Sequence, residues 1–172
     1  RTKNQELFSE KTPLYLAVKN TDTEMVKLLL SNPKIDVNEG LSKHMNYGIY
    51  RIKKSVLYEA IDRNCIEIIQ LLLSNPNIDV NFKSLRVINK KNFAIKTTEK
   101  TILYKAVEKQ KPDIVKLLLS HQNIDVNEKS FGSFEILWQN GEDYNRLRTP
   151  LHLAVALENV KITELLLNNE KI

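Results

Sequence analysis

The sequence contains the stretch Arg148-Thr-Pro-Leu-His-Leu-Ala-Val155, and three further stretches repeat its pattern. They are Lys11-Thr-Pro-Leu-Tyr-Leu-Ala-Val18, Lys54-Ser-Val-Leu-Tyr-Glu-Ala-Ile61 and Lys100-Thr-Ile-Leu-Tyr-Lys-Ala-Val107. A second segment ending in Leu-Leu-Leu follows each copy, and the first three copies then close with Ile-Asp-Val-Asn at 35–38, 78–81 and 124–127. Self-similarity of this kind predicts a stack of repeated structural units.

Two short helices are expected in each unit. A residue that can act as a helix N-cap precedes each first helix, where its side-chain oxygen accepts a hydrogen bond from an otherwise unpaired N–H group. These residues are Thr12, Ser55, Thr101 and Thr149. Pro33 and Pro76 stop the second helix of two units, and Asn32 and Asn75 just before them are expected to take a left-handed conformation. Since neither helix could bury its apolar face alone, the units must stack.

This pattern resembles the ankyrin repeat, whose Thr-Pro-Leu-His-x-Ala stretch is nearly intact in Thr149–Ala154. The resemblance covers essentially the whole chain. It implies a mainly α, ankyrin-type helix-turn-helix solenoid with extended β-hairpin fingers, in a single domain over residues 1–172. The repeats are placed at about 11–53, 54–99, 100–147 and 148–172, and we expect the chain to be a fragment of a longer protein. Because Tyr replaces the family's His in the other repeats, the His-to-Thr hydrogen bond is available only to His152.

The connections between the repeats are longer than the family needs. The anchor leucines at 14, 57, 103 and 151 lie 43, 46 and 48 residues apart, against about 33 residues for an ankyrin repeat. Most of the additional residues fall in three inserts, 39–54, 82–100 and 128–148, where the family has a short β-hairpin. Two interpretations stay open. At least one finger contributes to binding, or neighbouring fingers pair edge to edge and only extend the stack.

Hairpin signals are present in two of the three inserts. In the third insert, Phe134–Trp138 faces Asp143–Leu147 across an Asn-Gly turn, which strongly favours a hairpin. In the second insert, Arg86–Ile88 and Phe93–Ile95 flank a plausible four-residue turn. The first insert shows no clear turn. The aromatic residues of these arms could anchor a partner or cover one another across strands, and those predicted to take part in binding are Tyr50, Phe93 and Trp138.

Positive charge is concentrated in the first two inserts, whose net charges are +3 and +5, against −1 for the third. The residue before each helix cap is also basic in all four repeats, and stacking in register would align Lys11, Lys54, Lys100 and Arg148. The resemblance implies that this row faces the concave groove together with the last turn of each first helix. That turn supplies Lys19, Asn20, Asp62, Arg63, Glu108, Lys109 and Leu157. An acidic partner surface would complement such a row, whereas the alternative is that the lysines only keep the surface soluble.

No catalytic constellation is apparent in the sequence. The three histidines are far apart in the repeat scheme, the recurring aspartates at 36, 79 and 125 look structural, and zinc spacing and phosphate-binding glycine loops are absent. We therefore expect no enzyme activity, no metal and no cofactor. A single cysteine, Cys65, rules out internal disulfides and favours the cytoplasm or nucleus. No apolar run approaches the roughly 20 residues that a membrane span needs.

The leading functional hypothesis is a monomeric protein–protein interaction module. It would bind its partner through the concave groove and the extended hairpin fingers. The alternative is that the basic first and second hairpins bind nucleic acid or another anionic surface, although no recognised nucleic-acid motif is present. A third hypothesis is an enzyme or an enzyme-regulating arm of a larger protein.

Overall fold

The structure is a computed structural model, and it describes residues 7–45, 50–89, 95–131 and 148–172. Over these ranges eight α-helices form four consecutive pairs. The first helices of the pairs are α1 (Pro13–Lys19), α3 (Val56–Arg63), α5 (Ile102–Glu108) and α7 (Pro150–Ala156). The second helices are α2 (Thr23–Leu30), α4 (Ile66–Leu73), α6 (Pro112–Leu119) and α8 (Val160–Leu167). First helices pack on first helices along the stack, as the repeat pattern predicts.

Every first helix begins with the predicted N-cap. The backbone N–H of Tyr15 donates to Thr12 Oγ1 over 3.1 Å, and Ser55, Thr101 and Thr149 accept the same bond in their own repeats. Each such cap contributes about 1 kcal/mol to the stability of its helix. The additional His-to-Thr bond predicted for the last repeat is also present, with Thr149 Oγ1 at 2.7 Å from His152 Nδ1.

The ends of the second helices differ from the prediction. Among the described non-glycine residues, positive φ occurs at Thr21, Asn64, Gln110 and Glu158, which lie between the two helices of each pair. The left-handed conformation predicted for Asn32 and Asn75 was therefore wrong. Their side chains instead accept the N–H of the residue two positions later, at 3.0 Å in both cases, so that the side chain itself turns the chain after the helix.

The core is the continuous apolar layer between successive helix pairs. The anchor leucines of the first three repeats, Leu14, Leu57 and Leu103, are fully buried or nearly so. Ala17, Ala60, Ala106 and Ala154 are buried as well, which agrees with the close helix approach that the small side chain permits. Burial of each leucine is worth about 1.5–3 kcal/mol relative to leaving it exposed.

The asparagine of Ile-Asp-Val-Asn ties each repeat to the next. Asn81 Nδ2 donates to the carbonyl oxygen of Asn123 over 2.7 Å, while Asn81 Oδ1 accepts from the backbone N–H of Asp125 over 2.9 Å. Asn38 makes the same pair of bonds to the second repeat. The side-chain amide thus links loops of successive repeats, joining residues that are 39 to 44 positions apart in sequence.

The inserts do not project as separate fingers over the described residues. Five strands form one antiparallel sheet in sequence order: β1 (Leu7–Lys11), β2 (Leu41–Met45), β3 (Tyr50–Lys54), β4 (Lys83–Asn89) and β5 (Ile95–Thr101). Pairing of β3 with β4 joins the first insert to the second. The edge-to-edge pairing of neighbouring inserts, one of the two interpretations, is therefore confirmed for the first and second inserts. Binding of a partner by the sheet stays a prediction.

Two details of the sheet were not predicted correctly. The polar start of the chain contributes β1, because its backbone groups complete the hydrogen bonding of the β2 edge. In the second insert the register is Ile88 opposite Lys96, so the predicted pairing of 86–88 with 93–95 was wrong by three residues. The predicted hairpin of the third insert, Phe134–Trp138 with Asp143–Leu147, lies outside the described residues.

Candidate protein-binding groove

A single cross-strand row brings the four predicted basic residues together. Lys11 lies opposite Leu41, and Leu41 opposite Lys54. Beyond β3 the row continues through Ser84 opposite Lys100 and Ser130 opposite Arg148. Cations from the strands that enter first helices therefore alternate with buried small or apolar residues, and the prediction of one row is confirmed. We call the sheet surface that carries this row the groove face.

The groove face meets the first helices through an ion-pair network centred on buried Glu59. Its carboxylate accepts hydrogen bonds from Tyr15 Oη at 2.9 Å and Arg63 Nε at 3.0 Å, and Lys54 Nζ lies 3.4 Å away. Burial raises the pKa of Glu59, but the nearby Lys54 charge and the hydrogen bonds outweigh it, so the pKa lies below its usual range. Tyr15 comes from the first repeat, so this carboxylate links two repeats.

Asp62 continues the network into the third repeat. Its carboxylate lies 2.9 Å from Lys109 Nζ and 3.2 Å from Lys105 Nζ, and Lys54 Nζ stands 3.7 Å away on the other side. Burial raises the pKa of Asp62, yet the hydrogen bonds and charges of Lys109 and Lys105 lower it to about 2. The carboxylate is therefore ionised at neutral pH and couples the second repeat to the third.

Glu108 completes the network at the third repeat. Lys105 Nζ lies 3.1 Å from its carboxylate and Lys100 Nζ lies 2.5 Å away. Lys105 also stands over the ring of Tyr58, 5.4 Å from the centroid, and Lys54 stands 5.5 Å from the same centroid. We call these nine residues the inner network: Tyr15, Lys54, Glu59, Asp62, Arg63, Lys100, Lys105, Glu108 and Lys109.

Six of the predicted partner-binding residues belong to the inner network, namely Lys54, Asp62, Arg63, Lys100, Glu108 and Lys109. Lys11, Lys19 and Asn20 are exposed at the first repeat, and Arg148 and Leu157 are half-buried at the fourth. Tyr50 is the first residue of β3, while Phe93 and Trp138 lie outside the described residues. Contact of these residues with a partner stays a prediction.

Tyr15, Glu59 and Lys105 were not predicted from the sequence to belong to the groove. Their signal was weak: Glu59 and Arg63 have the spacing of a helical ion pair, but Lys105 reaches Asp62 only because two repeats stack.

A second row on the groove face was also missed. Ser9, Lys43, Ile52, Arg86 and Thr98 lie opposite one another in that order across the five strands. Within the described ranges, neither Lys43 nor Arg86 has a carboxylate within ion-pair distance. These two residues are therefore cations that the described part of the fold leaves unneutralised.

Two other kinds of site are absent from the described part of the chain. No group of three or more His, Cys, Asp or Glu side chains there could hold a metal ion. None of the described helices is long and apolar enough to cross a membrane.

Comparison with known proteins agrees with this architecture. The family model described as "Ankyrin repeats (3 copies)" matches residues 1–84 and again residues 85–172. The chain belongs to the ankyrin repeat family. Ankyrin repeat domains generally mediate protein–protein interaction.

A solved structure with the same fold is the ankyrin repeat domain of Bcl-3, which is described as a unique member of the IkappaB protein family. The two are 21% identical with a TM-score of 0.63, and the match covers 94% of the present chain. The present chain spans 57% of the Bcl-3 chain. No protein with a curated description matches the sequence.

Proposed function

We propose that this ankyrin repeat domain binds another protein along its concave groove, in which the groove face of the sheet is one wall and the first helices are the other. The partner surface that fits this groove is acidic. The domain would act as a monomer in the cytoplasm or nucleus, without a cofactor.

One observation carries the proposal: within the described residues, the buried and half-buried acids of the groove already have cation partners, whereas some of its cations have no acid. On the helix wall, Glu59, Asp62 and Glu108 already pair with the neighbouring lysines and arginine. On the sheet wall, Lys43 and Arg86 have no such partner in the part of the chain that the structure describes. A carboxylate from a partner gains most at Lys43 and Arg86, because no internal ion pair within the described residues has to be broken there.

The sheet wall also has a regular geometry. Lys43 and Arg86 are two strands apart in the second row, with half-buried Ile52 between them. Neighbouring strands are about 4.8 Å apart, so the two cations are separated by about 10 Å along the stack. An acidic segment that runs along the groove can therefore meet both cations and cover the apolar side chain between them.

The test is affinity capture from nuclease-treated cell extract with a matched charge reversal. One bait combines Lys43→Glu with Arg86→Glu in the sheet wall. The control bait combines Lys116→Glu with Lys161→Glu, which lie exposed on second helices and change the net charge equally. A protein retained by the wild type and the control, but lost by the groove variant, supports the proposal. Equal loss from both variants contradicts it, because only overall charge would then matter.

The same experiment separates the alternative function. If the wild-type bait captures a protein from untreated extract but not from nuclease-treated extract, nucleic acid links that protein to the bait. The affinity for a labelled single-stranded oligonucleotide, measured by direct titration, would then fall steeply as the salt concentration rises. That result would replace the protein-binding proposal with binding of nucleic acid through the basic hairpins.

A further inference from the structure

The second and third repeats each contain an internal ion pair, and the two paired residues have the same sequence spacing in both repeats. In each, the residue directly before the N-cap is a lysine, and its partner is an acid eight residues later in the first helix. The pairs are Lys54 with Asp62, at 3.7 Å, and Lys100 with Glu108, at 2.5 Å. Because the strand and helix recur with the same geometry, these two positions face one another in both of these repeats.

The first repeat has a lysine at both positions. Lys11 is the last residue of β1, and Lys19, eight residues later, is the last residue of α1. Both are exposed, and over the described ranges neither has a carboxylate within ion-pair distance. The nearest buried acid along the groove, Glu59, is already bonded to Tyr15 and two cations. Two like charges thus occupy the place where the second and third repeats hold a closed ion pair.

The surroundings of this lysine pair extend the site. Leu16 lies in the first repeat where Glu59 and Lys105 lie in the next two, and 42% of its surface is exposed. Lys43 is the diagonal neighbour of Lys11 on the adjacent strand. Ser9 is opposite Lys43, and Lys11 is opposite Leu41. The first-repeat end of the groove therefore combines three unneutralised lysines of the described chain with an exposed leucine.

We infer that Lys11 and Lys19 bind a carboxylate of the partner, which takes the place of the acid that the second and third repeats supply themselves. The inference rests on the proposed function and names its partner: an acidic segment of another protein, with an apolar side chain beside its Asp or Glu. A carboxylate is favoured over phosphate because Asp62 and Glu108 show that these two positions accept one. Leu16 favours a protein segment over a nucleic acid backbone, since it offers only apolar contact.

The decisive variant is Lys19→Asp, which places in the first repeat the acid that the second repeat carries. It should close an internal pair with Lys11 and so remove the site without disturbing the fold. The control is Lys34→Asp, an exposed loop residue after α2, which changes the net charge by the same amount. In low salt, the unfolding temperature of Lys19→Asp should equal or exceed that of the wild type. A clear decrease would show that the two positions do not face one another and would overturn the inference.

The binding probe is a display library of 12-residue peptides selected on the wild-type protein. Selected peptides should be enriched in Asp and Glu next to an apolar residue. Their affinity should fall about tenfold or more for Lys19→Asp, as expected for lost charge-assisted hydrogen bonds, and change less than about twofold for Lys34→Asp. A variant with both Lys11→Glu and Lys19→Glu should recover binding to peptides whose acids are replaced by lysine.

The remaining outcomes overturn the inference in distinguishable ways. Acidic peptides that bind both variants equally would place the interface elsewhere in the groove and leave the proposed function intact. Failure to enrich any peptide would exclude an acidic linear segment as the occupant. Tight binding of a labelled single-stranded oligonucleotide that Lys19→Asp abolishes would assign the lysines to nucleic acid, and the proposed function would fail with the inference.

Discussion

Asp62 is the carboxylate on which the coupling of the second and third repeats depends most directly. It lies 2.9 Å from Lys109 and 3.2 Å from Lys105, both of the third repeat. The substitution Asp62→Asn keeps the shape of the side chain and removes its charge. We expect this change to destabilise the domain at neutral pH and to weaken the cooperativity between the repeats on either side.

The magnitude follows from the pKa of the Asp62 carboxyl. Folding lowers this pKa from 3.8 to about 2, which corresponds to roughly 2.5 kcal/mol at about 1.4 kcal/mol per pKa unit. The Asp62 side chain is 31% exposed and that of Lys109 is 37% exposed. Solvent screening at this exposure reduces the expected effect on the free energy of unfolding to about 1–1.5 kcal/mol.

The sign of the pH dependence is fixed by the direction of the shift. A carboxyl whose pKa is lower in the folded state contributes stability that is complete well above its unfolded pKa of 3.8 and is lost as the pH falls through about 2. Glu59 and Glu108 shift in the same direction and remain in both proteins. The difference between wild type and Asp62→Asn therefore isolates Asp62, and it should shrink by about half between pH 7 and pH 3.

The assay is urea unfolding of both proteins at pH 7 and pH 3, followed by circular dichroism. Glu164→Gln is the matched control, since Glu164 is exposed on α8 and has no ion pair within the described residues. That control should change the unfolding free energy by less than about 0.5 kcal/mol at either pH. If Asp62→Asn is as stable as the wild type at pH 7, or if its loss of stability does not change with pH, the Asp62 charge does not couple the two repeats.

Two further predictions concern contacts that hold the repeats and the sheet together. Asn81→Ala removes the side-chain bonds to Asn123 and Asp125. It should lower the unfolding free energy by about 1–3 kcal/mol in the same urea assay. A loss below about 0.5 kcal/mol would show that water replaces these bonds. Gly40→Ala would place a Cβ against the backbone carbonyl oxygen of Lys54. We expect this clash to destabilise the domain by about 1–3 kcal/mol, measured by thermal unfolding. An unchanged unfolding midpoint would mean that strand β2 can shift to relieve the clash.

The helical part of the fold could be predicted because its signals are local. The N-cap at Thr12 and its hydrogen bond to the Tyr15 N–H are three residues apart, and the burial of Leu14 follows from the spacing of apolar residues in one short helix. Four copies of these signals in one chain made the stacked architecture the only economical interpretation.

The sheet and the inner network could not be predicted in the same way. The register that sets Arg51 opposite Val87 joins residues of different inserts, and nothing in either strand alone specifies it. Lys105 was not predicted to belong to the groove because its partner Asp62 lies in the preceding repeat. The sequence also does not distinguish paired from unpaired lysines. Lys54 forms an ion pair with Glu59, whereas Lys11 has no carboxylate partner in the described chain.

The sequence by itself determined the repeat, the caps and the apolar face of each helix, because those depend on residues within one or two helical turns. It also determined that Lys11, Lys54 and Lys100 recur at one position and so lie in one row. Only the tertiary structure decided that the first and second inserts join into one sheet and that Lys54 and Lys100 are neutralised from within. The physical reason is that strand pairing and ion pairs depend on distances across the stack. Those distances are set by packing between repeats whose paired residues lie 32 to 43 positions apart in sequence.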